Sequence, residues 1–345
     1  MSLRAQSCGL TLDIHAASGS WRRLAENAFG GASSPVTSVP DVVVSVEAST
    51  APFVLRGMLP LTRGAVTDGT RVVLTDACGS GLDLLVEPRS GGLAVTARPR
   101  PGASHRALRL AAPGRTELLW RAALLQYPAL WWMGVRGGVP LHVSAARLGD
   151  CGVVLAGPGG VGKSTLLSGL APQDGTPVSD NLCVYDGERL HGLPEPRRVE
   201  ASTAARHGRG MPHGRVERPW DRREPWVRPS VVLVLRRGLG DRATARPVPR
   251  DEAARALVAG TYAAGELRRY WAFAATLALG TGRGPAHPAI EREAERLAGE
   301  ARCVEVVLPA RPGTSLVELV DLVERVWTTH TAEVALGNQS TGVRA

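Results

Sequence analysis

The chain has 345 residues, 44% of them hydrophobic, enough for two packed domains at roughly 100–200 residues each. Its formal net charge of +9 points to an acidic partner, though the arginine richness can equally reflect coding composition, so nucleic acid is not the expected one. Five scattered cysteines (Cys8, Cys78, Cys151, Cys183 and Cys303) exclude a C-x-x-C metal pair and fit a reducing cytoplasm, and no signal peptide or uninterrupted membrane-spanning run is legible.

Residues 1–40 are weakly patterned, with a short helix over 21–27 and a Gly/Ser/Pro-rich loop over 30–40. From 41 to 112 the pattern predicts strands at 42–46, 52–55, 71–74, 82–86, 93–96 and 107–110. Asp68-Gly69 and Gly91-Gly92 read as hairpin turns between them. The expectation is a small antiparallel β-rich domain over 1–114 without a catalytic constellation. Its His105 and Asp83 read as sheet or surface residues. A helix over 115–136 connects it to the rest, with Trp131 and Trp132 packing between the two domains. The most apolar long stretch, 118–135, is interrupted by Arg121, Gln126 and Pro128, so it is a poor membrane span.

The second domain is expected over 137–328. It opens with a strand over 139–148 that carries His142, a turn at Gly149-Asp150, and an apolar strand over 152–156. A strand over 177–187 carries Asp180. Residues 191–229 hold six prolines and nine arginines and read as a basic loop or lid. A buried strand over 230–235, helices over 251–259, 262–279 and 290–300, and a strand over 302–308 follow. Ser315-Leu316-Val317-Glu318 is a capping box that opens a closing helix to about Trp327. Residues 329–345 read as a disordered tail.

The chain is organised around Gly157-Pro158-Gly159-Gly160-Val161-Gly162-Lys163-Ser164-Thr165, which fits G-x-x-x-x-G-K-[ST] at every fixed position. Glycines let a backbone wrap a phosphate with its N–H groups inward, and a following helix N-terminus adds a favourable dipole. Lys163 can then reach β- and γ-phosphates, and the Ser164 hydroxyl can ligate Mg²⁺. Of the 41 Lys+Arg residues, Lys163 is the only lysine. A compact ammonium fits inside such a loop where a planar guanidinium does not. The fold expected is α/β, a sheet of the P-loop NTPase type flanked by helices behind the β-rich domain.

The switch, transporter and motor readings of this loop all weaken. With one lysine there is no Asn-Lys-x-Asp guanine reader. No Leu-Ser-Gly-Gly signature follows, and the apolar strand over 231–235 runs into Arg236-Arg237 instead of Asp-Glu. What remains is Asp180 close behind the loop, where a carboxylate could return to the γ-phosphate and Mg²⁺.

Residues 139–187 resemble the HPr kinase/phosphorylase superfamily. The resemblance lies in an ordered series: Leu141-His142 on a strand, a tight turn, an apolar strand, the loop from Gly157 to Ser164, a helix, and Ser179-Asp180-Asn181. It implies a Mg-ATP-dependent kinase acting on a Ser or Thr hydroxyl of a peptide or small protein. Related kinases modify peptides in natural-product pathways. By resemblance, Lys163 holds the phosphates, Ser164 with Thr165 meets Mg²⁺, Asp180 is base or metal ligand, and His142 orients or charge-balances that carboxylate. The family usually shows Asp-Asp where this chain has Asp180-Asn181. Its later glycine-containing signature with a metal-binding glutamate is not recognisable, and Glu195 and Glu200 are the acids that could substitute. Two rival readings follow. One is a nucleotide-binding regulatory or scaffold protein without phosphotransfer. The other is a small-molecule or nucleic-acid kinase. ATP, ADP and GTP all stay open as donor, a homo-oligomer is compatible, and no membrane partner is expected.

Overall fold

The structure, a computed structural model, describes residues 2–29, 38–200, 209–211, 215–311 and 313–341. The first part of the chain supplies β1 (Ser2–Ser7), β2 (Leu10–Ala16), α1 (Gly19–Ala28), β3 (Val42–Val46), β4 (Leu59–Thr62), β5 (Ala65–Thr67), β6 (Val72–Leu74), β7 (Leu82–Arg89) and β8 (Gly92–Pro99). These eight strands form one sheet in the order β1-β2-β3-β8-β7-β6-β5-β4. It is mixed, not antiparallel, because β2–β3 and β3–β8 run parallel. The connection carrying α1 makes the first parallel pair possible, since parallel neighbours need a crossover longer than a hairpin. Two strands lie in the stretch read as weakly patterned. The expected loop over 30–40 falls mostly on 30–37, outside the described residues.

Two expected strands are absent. Residues 52–55 carry no regular structure, and Val54 is 84% exposed. Residues 107–110 lie inside α2 (Ala103–Ala111). That stretch, ASHRALRLA, contains no β-branched residue and mostly good helix formers, so local propensity outweighs its short apolar run. Then α3 (Pro113–Arg121), a π-helical turn (Ala122–Gln126) and α4 (Tyr127–Val135) follow without a break. Trp131 and Trp132 are buried in the core beneath the N-terminal sheet.

The remainder comprises β9 (Val139–Leu141), β10 (Ser144–Leu148), β11 (Cys151–Ala156), α5 (Lys163–Ser168), β12 (Thr176–Ser179), β13 (Cys183–Tyr185), β14 (Leu190–Gly192), β15 (Arg197–Glu200), β16 (Arg209–Met211), β17 (Arg215–Arg218) and β18 (Trp226–Val227). After these come β19 (Val231–Arg237), β20 (Thr244–Pro247), α6 (Arg250–Tyr262), α7 (Arg268–Thr281), α8 (Ile290–Glu300), β21 (Arg302–Leu308) and α9 (Leu316–Thr341). The six-stranded sheet runs β12-β10-β11-β19-β21-β20, with β11, β19 and β21 parallel at its centre. The fold is mixed α/β. The core under the N-terminal sheet also takes Leu267, Tyr270, Phe273 and Leu277, so residues from far along the chain complete it.

The basic 191–229 region is not a plain loop. Its described residues include the small sheet β15-β17-β16 and the short edge strand β18. Residues 201–208 and 212–214 lie outside them. The capping box forms as read: the Ser315 N–H donates to Glu318 Oε2 at 2.8 Å and the Glu318 N–H donates to Ser315 Oγ at 3.2 Å. Its helix continues past Trp327 to Thr341, so 329–341 is helical, and 342–345 lies outside the described residues. Among the described residues, no helix is long and apolar enough to cross a membrane.

Candidate functional site

The decisive local event is a double break. The stretches 139–148 and 177–187 each read as one strand, and each is two strands in different sheets. In one sheet β9 pairs with β13, setting Leu141 opposite Cys183. In the other, β10 pairs with β12, setting Ala145 opposite Ser179, with a register irregularity immediately after. The two-stranded ribbon therefore passes from one sheet to the other, and its polar residues fall at the crossing. His142 stands in one break, and Asp180 and Asn181 in the other. The Ser144 hydroxyl donates to the Asp180 carbonyl and ties the two breaks together. Interruptions of a ladder re-aim side chains in this way.

The glycine loop spans β11 to α5. Gly157 has φ +142°, and a Cβ there would lie 2.9 Å from the Leu235 carbonyl, so only glycine fits. Gly162 has φ +120°. Helix α5 is six residues long, too short for a developed macrodipole, so the loop and Lys163 carry any phosphate contact.

A pocket of about 190 Å³ opens on this loop. It is lined by Lys163, Ser164 and Thr165, by His142, Asp180 and Asn181, and by Arg198 and Glu266. Gly159, Gly160 and Gly162 line it too. Gly157, Pro158 and Val161 instead face an apolar groove on the other side of the loop, against α6. Lys163, Asp180 and His142 are 5%, 4% and 6% exposed. Lys163 Nζ donates to the carbonyls of Gly157 at 2.7 Å and Pro158 at 3.2 Å. Burial pushes its ammonium down to about 8, against the opposing pull of Asp180 and Glu266.

His142 is anchored by its backbone N–H, which donates to Thr261 Oγ1 at 3.1 Å. Its Nε2 donates to Asn181 Oδ1 at 2.9 Å, which assigns the tautomer. The ring thus engages the amide of Asn181, the residue that follows Asp180. Burial, then the Lys163 charge, lower its pKa, so the imidazole is neutral at pH 7.

Two charged residues of the pocket carry no sequence signal. Glu266 sits in a short 3₁₀ turn between α6 and α7 (Gly265–Leu267), with no motif around it. Arg198, one of many arginines in the basic segment, pairs with Glu266 at 3.4 Å and with the buried Glu195 at 3.8 Å. Burial alone would raise the Glu266 carboxyl. Its own backbone amide and Arg198 outweigh this and hold it below the usual range. Glu195 behaves oppositely: burial raises its pKa despite Arg198, and Gln126 Nε2 donates to its Oε1 at 2.6 Å. No side-chain position is described for Glu200.

No protein-family model and no curated protein sequence matches the chain. Among solved structures it is similar to the HPr(Ser) kinase/phosphatase from Coxiella burnetii. The identity is 13%, over 59% of this chain and 98% of that one, with a TM-score of 0.26. A likeness of that extent identifies neither activity nor substrate.

The donors in the pocket are hard: the Ser164 hydroxyl and the carboxylates of Asp180 and Glu266. Among the described residues no group of three or more His, Cys, Asp or Glu could cage a metal ion. Mg²⁺ is usually held by one or two carboxylates together with the phosphates it accompanies, and these residues fit that mode.

Proposed function

We propose that this chain is a Mg-ATP-dependent kinase that transfers the γ-phosphoryl group to a Ser or Thr hydroxyl of a peptide or small protein. What carries the reading is that the lone lysine of a complete glycine loop, the adjacent Ser164 and a buried aspartate line one pocket. The resemblance of residues 139–187 supports the choice of acceptor.

Bound Mg-ATP would supply the phosphoryl group and a Lewis acid. Lys163 would exchange its bonds to the loop carbonyls for phosphate oxygens. Ser164 Oγ and one of the two carboxylates, Asp180 or Glu266, would hold the metal. Glu266, kept ionised beside Arg198, offers a second carboxylate, so that one of the two remains to take the acceptor proton. Neutral His142 holds the Asn181 amide in place and adds no charge of its own. The arginines of β15 and β17 would favour an acidic acceptor.

The test is incubation with Mg²⁺ and γ-labelled ATP, with ADP and GTP in parallel, against peptide and cell-extract acceptors. Products are located by mass spectrometry. A phosphorylated seryl or threonyl peptide that disappears with Lys163→Ala is the expected result. One observation favours a second reading: Asn181, where the family shows aspartate, is engaged by His142 and cannot act as a base. A regulatory protein that binds nucleotide without transfer would give binding and no labelled acceptor.

A further inference from the structure

A second cavity, of about 300 Å³, lies where the β1–β2 turn meets β14 and β18. The backbone N–H of Cys8, in that turn, donates to the Gly192 carbonyl at 3.1 Å and ties the N-terminal sheet to β14. Arg189, Arg223 and Trp226 line it as well. The Arg189 guanidinium stacks over the Trp226 ring, 4.1 Å from its centroid.

Arg223 is the unusual group. Among the described residues it makes no side-chain hydrogen bond and no ion pair, and its Nη1 is buried without a partner. Burial lowers its pKa, yet a guanidinium stays charged in proteins. The residue is half-buried, and a charge partly taken out of water is costly unless paired. None of its neighbours pairs with it. Burial pushes the Cys8 thiol up to about 12 and the Cys183 thiol up as well, so both are neutral. Glu195 is committed to Gln126 and Arg198. Asp186 accepts from His191 Nε2 at 2.8 Å, Glu224 pairs with Arg147, and Glu188 with Arg228. His191 Nδ1, on the same cavity, is buried and also lacks a partner.

We propose that this cavity binds a small, flat organic anion, with its oxyanion on Arg223 and its planar part against the side of Trp226 that Arg189 leaves open. The oxyanion is a carboxylate or a phosphate, and either matches the two-pronged fork of a guanidinium. Arg189 adds a second cation to the lining, and the volume lies at the lower end of ordinary ligand sites. The site stands apart from the glycine loop and does not rest on the kinase reading.

Calorimetric titration of the whole chain with benzoate, and separately with phenyl phosphate, tests it. At least one probe binds the wild type, and the stronger one names the oxyanion. Arg223→Gln weakens that probe at least tenfold, and Trp226→Ala weakens it as well, so a folding defect in one variant does not decide the outcome. Lys163→Ala leaves it unchanged. Failure of both probes with the wild type overturns the proposal, as does unaltered binding in both cavity variants. Loss of binding in Lys163→Ala overturns it too, because the probe would then sit in the glycine loop.

Discussion

The glycine-loop pocket and the Arg223 cavity treat buried charge in opposite ways. In the first, Arg198 lies between Glu195 and Glu266, and Lys163 feels both Asp180 and Glu266. In the second, a guanidinium faces neutral thiols and carboxylates already committed elsewhere. A matched cluster is stable before any ligand arrives and fixes the geometry of a site. An unmatched charge raises the energy of the empty protein and leaves its stabilisation to whatever binds. The lesson is to ask, for each buried cation, which anion completes it.

The largest expected effect bears on the matched pocket. Asp180→Asn should lower phosphotransfer by about 10²–10⁴-fold, the usual contribution of a positioned proton acceptor. Nucleotide binding should persist, measured by titration of the same variant. Turnover near wild type would move the proton to Glu266. Next comes Arg198→Met, which strands Glu195 and Glu266 without their cation. It should cost about 2–3 kcal/mol in denaturant unfolding, toward the low end for a broken buried pair because the side chain is 21% exposed. Arg223→Met should do the reverse. Removing an uncompensated charge should leave the empty protein as stable as wild type or up to about 1 kcal/mol more stable. A loss like that of Arg198→Met would mean that Arg223 has a partner after all.

The smallest effect is a proton. Folded Lys163 titrates near 8, and phosphate oxygens beside it would restore its charge. Nucleotide binding at pH 8.5 should therefore take up a fraction of a proton, read by calorimetry in two buffers of different ionisation enthalpy. Affinity should fall as pH rises through about 8. The sign for stability is opposite. Between about 8 and the ordinary 10.5 the unfolded chain holds more protons at this lysine than the folded one. Its contribution to stability thus rises with pH across that window.

The sequence made some of this legible and hid the rest for physical reasons. The glycine loop is local, because its conformation needs consecutive residues of particular types, and Gly157 shows why. The capping box at Ser315 is local in the same sense. The breaks at His142 and Asp180 are not. Apolar residues run through both stretches, and only the pairing of β9 with β13 and of β10 with β12 separates them. Alternation at Leu10, Leu12, Ile14 and Ala16 runs through β2, whose even positions face one side of the sheet, but four positions in an otherwise weakly patterned stretch do not set it apart. The parallel pairing of β2 with β3 depends on the crossover carrying α1, which no local pattern states. Glu266 and the Glu195–Arg198 pair approach the pocket from two distant segments, and their roles exist only in the folded chain.

The solitary lysine has a practical consequence. Its side chain is held by the carbonyls of its own loop and loses its proton near neutral pH far more readily than an exposed lysine does. At pH 8 an appreciable fraction is a free amine, and the 40 arginines of the chain are inert to acylating reagents. Besides the α-amine, an amine-selective active ester would thus find one lysine, inside the pocket. Nature has left the molecule with a built-in handle for affinity labelling, and the rate at which a reagent marks it reports directly on whether the pocket is filled.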